Sequence, residues 1–240
     1  MWSLPDLATR SEASELLDDL SIGGSELAET LAQLRWINRL LGAAWPSVEG
    51  VARLWLETGR PAQLSILDVG AGSGDVNRLL LRWAGWCKVQ IDITLMDIHP
   101  DTCAVAQAYY RGESRVHVVQ GNVFQLTAAQ ADIVTASLFL HHFPAAKLAA
   151  VLKSMLEAAR LGVIVNDLHR HPLAWAFIWA ATRLLSRNRL IRHDAPLSVW
   201  RGFRPADFER LKQTSGLTGL KYAWRPFFRY LVIIPKERID

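Results

Sequence analysis

The stretch Ile66–Val76, ILDVGAGSGDV, carries glycines at 70, 72 and 74 behind an apolar run that ends in Asp68 and Val69. Such a turn lets a backbone pass close to a ligand. A dinucleotide fingerprint GxGxxG needs its third glycine at 75, where Asp75 stands, and a phosphate loop GxxxxGK[ST] needs a lysine that the turn lacks. Asp68, just before the turn, repels phosphate but suits an ammonium group or the loop's own amides. Asp97 closes the next apolar run, at an offset that suits a carboxylate accepting from the two hydroxyls of a ribose. A plain glycine turn followed by an unrelated acid is the bland alternative.

Other residues could move protons. Of seven histidines, four fall in two short runs, His141 with His142 and His169 with His171, and Asp167 stands just before the second. Imidazole titrates near neutral pH and serves as a general base. The same histidines could equally be loop structure and helix entries, and Asp167 a strand-end cap. Cys87 and Cys103 form no CxxC pair, so a reduced protein without disulfides is expected.

These residues need elements to hold them. Leu27, Leu31, Leu34, Ile37 and Leu41 recur at helical spacing over 25–41, and a second helix runs from Ser47 to about Thr58, so residues 1–60 read as a helical cap. From there the pattern alternates. Strands are expected at 64–69, 89–97, 115–120, 132–137 and 162–167, with helices at about 74–84, 100–110 and 144–159 between them. That is an α/β, Rossmann-like, doubly wound parallel sheet. LTGLKYAWRP and FFRYLVIIPK follow with no room for a crossover helix, so they pair antiparallel and complete seven strands in a domain spanning 61–240.

Composition narrows the partners. A net charge of +4 falls short of the basic face of a nucleic-acid binder. PLAWAFIWAA, residues 172–181, has half the length that a spanning helix needs, and the amino terminus lacks the order of a signal peptide, so a cytoplasmic protein is expected. The long stretch 168–204 starts aromatic and turns arginine-rich. As a substrate lid, its Trp175, Phe177, Ile178 and Trp179 would wall an aromatic acceptor. As a peripheral membrane face, Arg183, Arg187, Arg189 and Arg192 would meet anionic headgroups, and as plain structure the aromatics would be core and the arginines a solvated face. A monomer or a homodimer fits equally.

The motifs, taken in order, resemble the class I S-adenosylmethionine-dependent methyltransferases. LDVGAGSG resembles their first motif and LMDIHP their second-strand acidic motif. VVQGNVFQL, ADIVTASLFLHHF and ARLGVIVND stand at the third, fourth and fifth strands. The resemblance covers residues 60–240 and implies S-adenosyl-L-methionine as cofactor and S-adenosyl-L-homocysteine as product. It implies that Gly70, Ala71, Gly72 and Gly74 pass close to the methionine part, that Asp68 orders the loop and the amino group, and that Asp97 with Ile98 holds the ribose. Asn122 and Val123 would meet the adenine, with the Asn122 amide oxygen accepting from N6, and Ser137 would close the site.

The chain lacks the Asn/Asp-Pro-Pro-aromatic motif of nucleobase amine methyltransferases, so nucleic acid is not the expected substrate. It also lacks the fourth-strand aspartate of catechol-type, magnesium-dependent relatives, so no metal is expected. LHHFP resembles the place where plant phenolic O-methyltransferases carry their catalytic histidine. That implies His141 as base, with His169 the other candidate and Asp167 orienting either one or binding substrate. LRWINRLLG, NDLHRHPLAW and RHDAPLSVWRGF resemble bacterial small-molecule methyltransferases found with type III polyketide synthases. The implied reaction is O-methylation of a small apolar phenol or quinol. C-methylation of a quinone ring and a non-catalytic cofactor-binding partner are the other readings.

Overall fold

The structure is a computed structural model and describes residues 5–236, so the outermost parts of the 1–60 cap and the 61–240 domain lie outside the described residues. Helices α1 (Gly24–Leu40) and α2 (Trp45–Glu57) come first. The alternating part follows as β1 (Gln63–Val69), α3 (Asn77–Cys87), β2 (Gln90–Asp97), α4 (Pro100–Tyr109), β3 (Val116–Gln120), β4 (Ala131–Ser137), α5 (Ala145–Ala158) and β5 (Ala159–Leu168). Then come α6 (Pro172–Leu185), α7 (Arg189–Arg201), α8 (Pro205–Ser215), β6 (Lys221–Arg225) and β7 (Arg229–Pro235).

Among the described residues seven strands form one sheet, in the order β3-β2-β1-β4-β5-β7-β6. The first five are parallel, and β7 runs antiparallel to both β5 and β6. The strand order reverses between β1 and β4, and that is where an open α/β sheet leaves a crevice at its carboxyl edge. Ile66 registers with Ile93 on one side and Ile133 on the other.

Both faces of the sheet are covered. Along β5, Val163 and Val165 join the core beneath α5 and α8, while Ile164 joins the opposite core with Ile66 and Leu80. Helix α2 belongs to that second core through Val48, Val51 and Leu54. A Cβ on Gly50 would meet Ile164 at 2.6 Å, so a glycine is what lets α2 approach β5. The described part of that segment, residues 5–60, therefore divides in space, with α2 sheathing the sheet and the chain before it bordering the cavity at the carboxyl edge.

That earlier chain differs from the helical reading. Residues 5–23 form an irregular strap with a single 3-10 turn, Leu16–Asp18. The N–H groups of Leu16 and Leu17 donate to the Asp194 carboxylate (2.8 and 3.0 Å), and Glu15 and Asp18 close a capping box. Tertiary partners thus satisfy the backbone that a helix would have used. Helix α3 likewise starts at Asn77 rather than near Gly74, because the glycine turn runs on to Val76. Helices α4 and α6 begin with proline at the first turn. His99 and His171 cap them, each ring accepting a backbone N–H.

Candidate active site

The turn after β1 is built around its glycines. Gly70 has φ +61°, and a Cβ there would overlap the Phe139 ring, so a glycine lets the loop after β4 close over the turn. Gly72 has φ +56° with no atom within 4 Å of where its Cβ would stand, so its backbone faces open space. Asp97 fastens the turn from the side. Its two oxygens accept from the N–H groups of Gly72 and His99, each at 3.0 Å. Burial raises the Asp97 pKa, and these two amides offset part of the rise.

Asp68 is 2% exposed and accepts from Thr135 Oγ1 (2.7 Å) and Asn77 Nδ2 (2.6 Å). It ties β1 to β4 and to the start of α3. Burial pushes its carboxyl up to about 6, against the pull of those hydrogen bonds.

A cavity of about 510 Å³ opens beyond the turn. Asp68, Gly70, Ala71, Gly72, Asp97 and Ile98 line it. Asn122, Val123 and Ser137 line it too. Gly74 does not. Its Cβ would strike Leu95, and its carbonyl accepts from Tyr110 Oη (2.6 Å), so it serves packing rather than a ligand. Asn122 Oδ1 accepts the Phe124 N–H at 3.0 Å, which leaves one lone pair on that oxygen for a further donor. Ser137 Oγ shares a hydrogen bond with Ser47 Oγ (2.7 Å).

The chain then turns sharply at Leu138, a non-glycine residue at φ +55° whose N–H donates to Asn166 O. That strain of about 1 kcal/mol aims the following 3-10 turn, Leu140–His142, at the cavity. His141 is 2% exposed. Its Nδ1 donates to Asp167 Oδ1 at 2.7 Å, and its Nε2 lies 3.5 Å from Glu15 Oε1. His142 Nδ1 donates to Asp18 Oδ1 at 2.6 Å, with its Nε2 3.9 Å from Glu15 Oε2.

Two arginines clamp this turn by its carbonyls. Arg10 donates to His141 O (2.8 Å) and Phe143 O (2.7 Å), and Arg201 to His141 O (2.9 Å) and His142 O. Burial alone would raise Asp167, but the His141 imidazole and two backbone amides outweigh it and hold the carboxyl below its ordinary value. Asp167 does not line the cavity; its carboxylate accepts from His141 Nδ1 and from the Leu168 N–H.

Burial would lower His142, but Glu15 and Asp18 push it up to about 8 from 6.5. A raised folded pKa gives stability that is full below about pH 6.5 and lost as pH rises through about 8. Thermal unfolding should therefore show about 1–2 kcal/mol less stability at pH 9 than at pH 6, discounted because a quarter of the ring is exposed. His142→Gln should flatten that slope.

Glu15, His141 Nε2 and His142 Nε2 lie within 4.8 Å of one another, close enough to share a divalent cation. The charges balance without one. Glu15, Asp18 and Asp167 face Arg10, Arg201 and a protonated His142.

His169 is a correction. It does not line the cavity; its ring lies edge-on to Tyr230 (5.0 Å between centroids) and its Nδ1 is buried without a partner among the described residues. Burial drops it to about 4, so it is a weak base in the wrong place. The lid differs as well. Of its four named residues only Ile178 lines the cavity. Trp175 stacks on Trp179, and Phe177 is 60% exposed beside Leu173 (66%) and Leu184 (84%).

Residues 66–162 match a family model described as a methyltransferase domain. No curated protein matches the chain in sequence. Similar solved structures include the plantazolicin methyltransferase BamL in complex with a triazolic desmethylPZN analog and SAH. It shares 12% identity over 87% of this chain and 91% of that one, with a TM-score of 0.64. Magnesium protoporphyrin IX methyltransferase (ChlM) from Synechocystis PCC 6803 with bound SAH shares 14% identity over 84% and 87%, TM-score 0.55. The CurJ carbon methyltransferase shares 12% over 76% of this chain, TM-score 0.55, and this chain spans 51% of that one. The fold is a methyltransferase fold.

Within that fold, Glu15, Asp18, Arg10 and Arg201 escaped sequence reasoning. ELLDD falls in the stretch read as helical, and nothing local says that its acids meet histidines more than a hundred residues away. The one signal was Glu15 three residues before Asp18, the spacing of a capping box.

Proposed function

We propose that the protein is an S-adenosylmethionine-dependent methyltransferase acting on a small, apolar, oxygen-bearing acceptor of phenol or quinol type, polyketide-like in shape. The observation that carries this reading is that His141, held by Asp167, lines the same cavity as the glycine turn. The turn suits the cofactor: Gly72 leaves its backbone open to a ligand, and Asp97 stands beside it with lone pairs to spare for a ribose diol. S-adenosylmethionine supplies the methyl group from its sulfonium.

Asp167 accepts a hydrogen bond from the His141 Nδ1–H and so fixes the tautomer with its lone pair on Nε2, on the Glu15 side of the ring. With the cofactor bound, His141 Nε2 would take the hydroxyl proton of the acceptor while the methyl carbon leaves the sulfonium for that oxygen, and the carbon–sulfur electron pair stays on sulfur as a thioether. Asp167 and Glu15 then stabilise the imidazolium from both sides. The Arg10 and Arg201 clamps hold the ring still, which matters because an in-line displacement depends on positioning.

The test is calorimetry with S-adenosylhomocysteine followed by a panel of phenols and quinols, with mass spectrometry of the products. Oxygen-bound methyl supports the reading, and carbon-bound methyl replaces it with quinone C-methylation. Cofactor binding with no product from any acceptor would leave only a binding protein.

No helix among the described residues is long and apolar enough to cross a membrane. The outward Leu173, Phe177 and Leu184 lie on one stripe of α6, the helix whose Ile178 lines the cavity, and no carboxylate occurs between Asp167 and Asp194. That supports reaching an apolar acceptor at an anionic lipid surface. Flotation with phosphatidylglycerol vesicles should recover the wild type about 10-fold better than a Leu173→Glu, Phe177→Glu, Leu184→Glu variant. Equal recovery removes the membrane from the account.

A further inference from the structure

Arg229 has no part in the reaction just described. It is the first residue of β7, registers with Leu168 at the carboxyl end of β5, is 3% exposed and lines the cavity. Its Nε and Nη1 are buried and have no hydrogen-bond partner among the described residues. A guanidinium taken out of water without acceptors is strongly disfavoured, and arginine is rarely buried unless paired.

Its nearest opposite charges are committed elsewhere. Asp167 and Asp75 act on it through space, but Asp167 accepts from His141 and from the Leu168 N–H, and Asp75 accepts from Asn38 and Ser73. The turn that delivers Arg229 is itself forced, with Phe227 and Phe228 at φ +60° and +53°. The guanidinium is therefore held at the cavity with its acceptor still to come.

We propose that Arg229 is the cavity's carboxylate receptor, and that it binds the α-carboxylate of the cofactor's amino-acid part or an acid group on the acceptor. A planar fork of donors matches a carboxylate in two hydrogen bonds. A phosphate is disfavoured because Asp68 and Asp75 line the same cavity. Those acids instead suit an ammonium group, so a guanidinium together with carboxylates recognises a zwitterionic amino acid end. The cofactor arm rests on the functional reading above.

Calorimetry separates the cases. S-adenosylhomocysteine, its decarboxylated analogue and methylthioadenosine, which lacks the amino acid part, are titrated into wild type, Arg229→Gln and Arg229→Lys. Wild type should prefer S-adenosylhomocysteine over the decarboxylated analogue by about 10- to 100-fold. Arg229→Gln should lose that preference and keep its affinity for methylthioadenosine, which certifies that the fold and the adenosine end are intact. If Arg229→Gln does not fold, Arg229→Lys retains the charge without the fork and should lose most of the preference.

A variant that keeps the cofactor preference but raises KM only for acid-bearing acceptors places the carboxylate on the acceptor. Cofactor preference and KM both unchanged overturn the proposal. Wild type that binds methylthioadenosine but shows no preference and no KM effect also overturns it while sparing the functional reading. Wild type that binds none of the three ligands sinks the functional reading itself.

Discussion

His141→Ala lowers kcat by about 10²–10⁴-fold and leaves S-adenosylhomocysteine affinity within about twofold. The substitution removes a buried imidazole that Asp167 orients and that lines the cavity, while the turn after β1 and Asp97 stay in place. It also strips Asp167 of its strongest partner, so the protein should lose about 3 kcal/mol of stability. His141→Gln keeps a donor for Asp167 without a base, and separates the two effects: stability largely returns and kcat does not. Asp167→Asn should lower kcat through the wrong tautomer while sparing KM. Unchanged kcat in His141→Ala would mean that the acceptor arrives already ionised or that positioning alone suffices.

The second large effect is on the cofactor. Asp97→Ala should weaken S-adenosylhomocysteine binding about 100-fold or more, since each hydrogen bond to an ionised carboxylate contributes about 1.5–3 kcal/mol and a ribose diol makes two. The same carboxylate accepts the Gly72 N–H, so the turn loosens as well. Asp97→Asn is the informative companion. It retains an acceptor for Gly72 and forfeits charge, and should fall between the two. Calorimetry that showed Asp97→Ala binding like the wild type would place the ribose elsewhere in the cavity.

The parts of this molecule that sequence made legible are those governed by short-range pattern. The apolar runs of β1, β4 and β5, the glycine turn, and the acid at the end of β2 each announce themselves within ten residues. His141 was legible as a candidate because it follows a strand directly. Glu15 and Asp18 were not, since their partners come from contacts that span more than a hundred residues. His169 misled for a related reason. Its place after β5 suggested catalysis, but the hairpin of β6 and β7 supplies the Tyr230 ring that its own ring packs against. Arg229 sits in a strand whose pattern says only that it is buried, and what that burial leaves unanswered appears only in three dimensions.

The strap over residues 5–23 gives the cavity part of its wall and Glu15 at once, and it is pinned to α7 through Asp194, Ser198 and Arg201. Wall and reagent are thus one object. Because Glu15 stands in that wall 3.5 Å from His141 Nε2, whatever loosens the strap's anchorage on α7 also displaces the carboxylate beside the imidazole, so the fit of the wall and the chemistry of the ring are coupled.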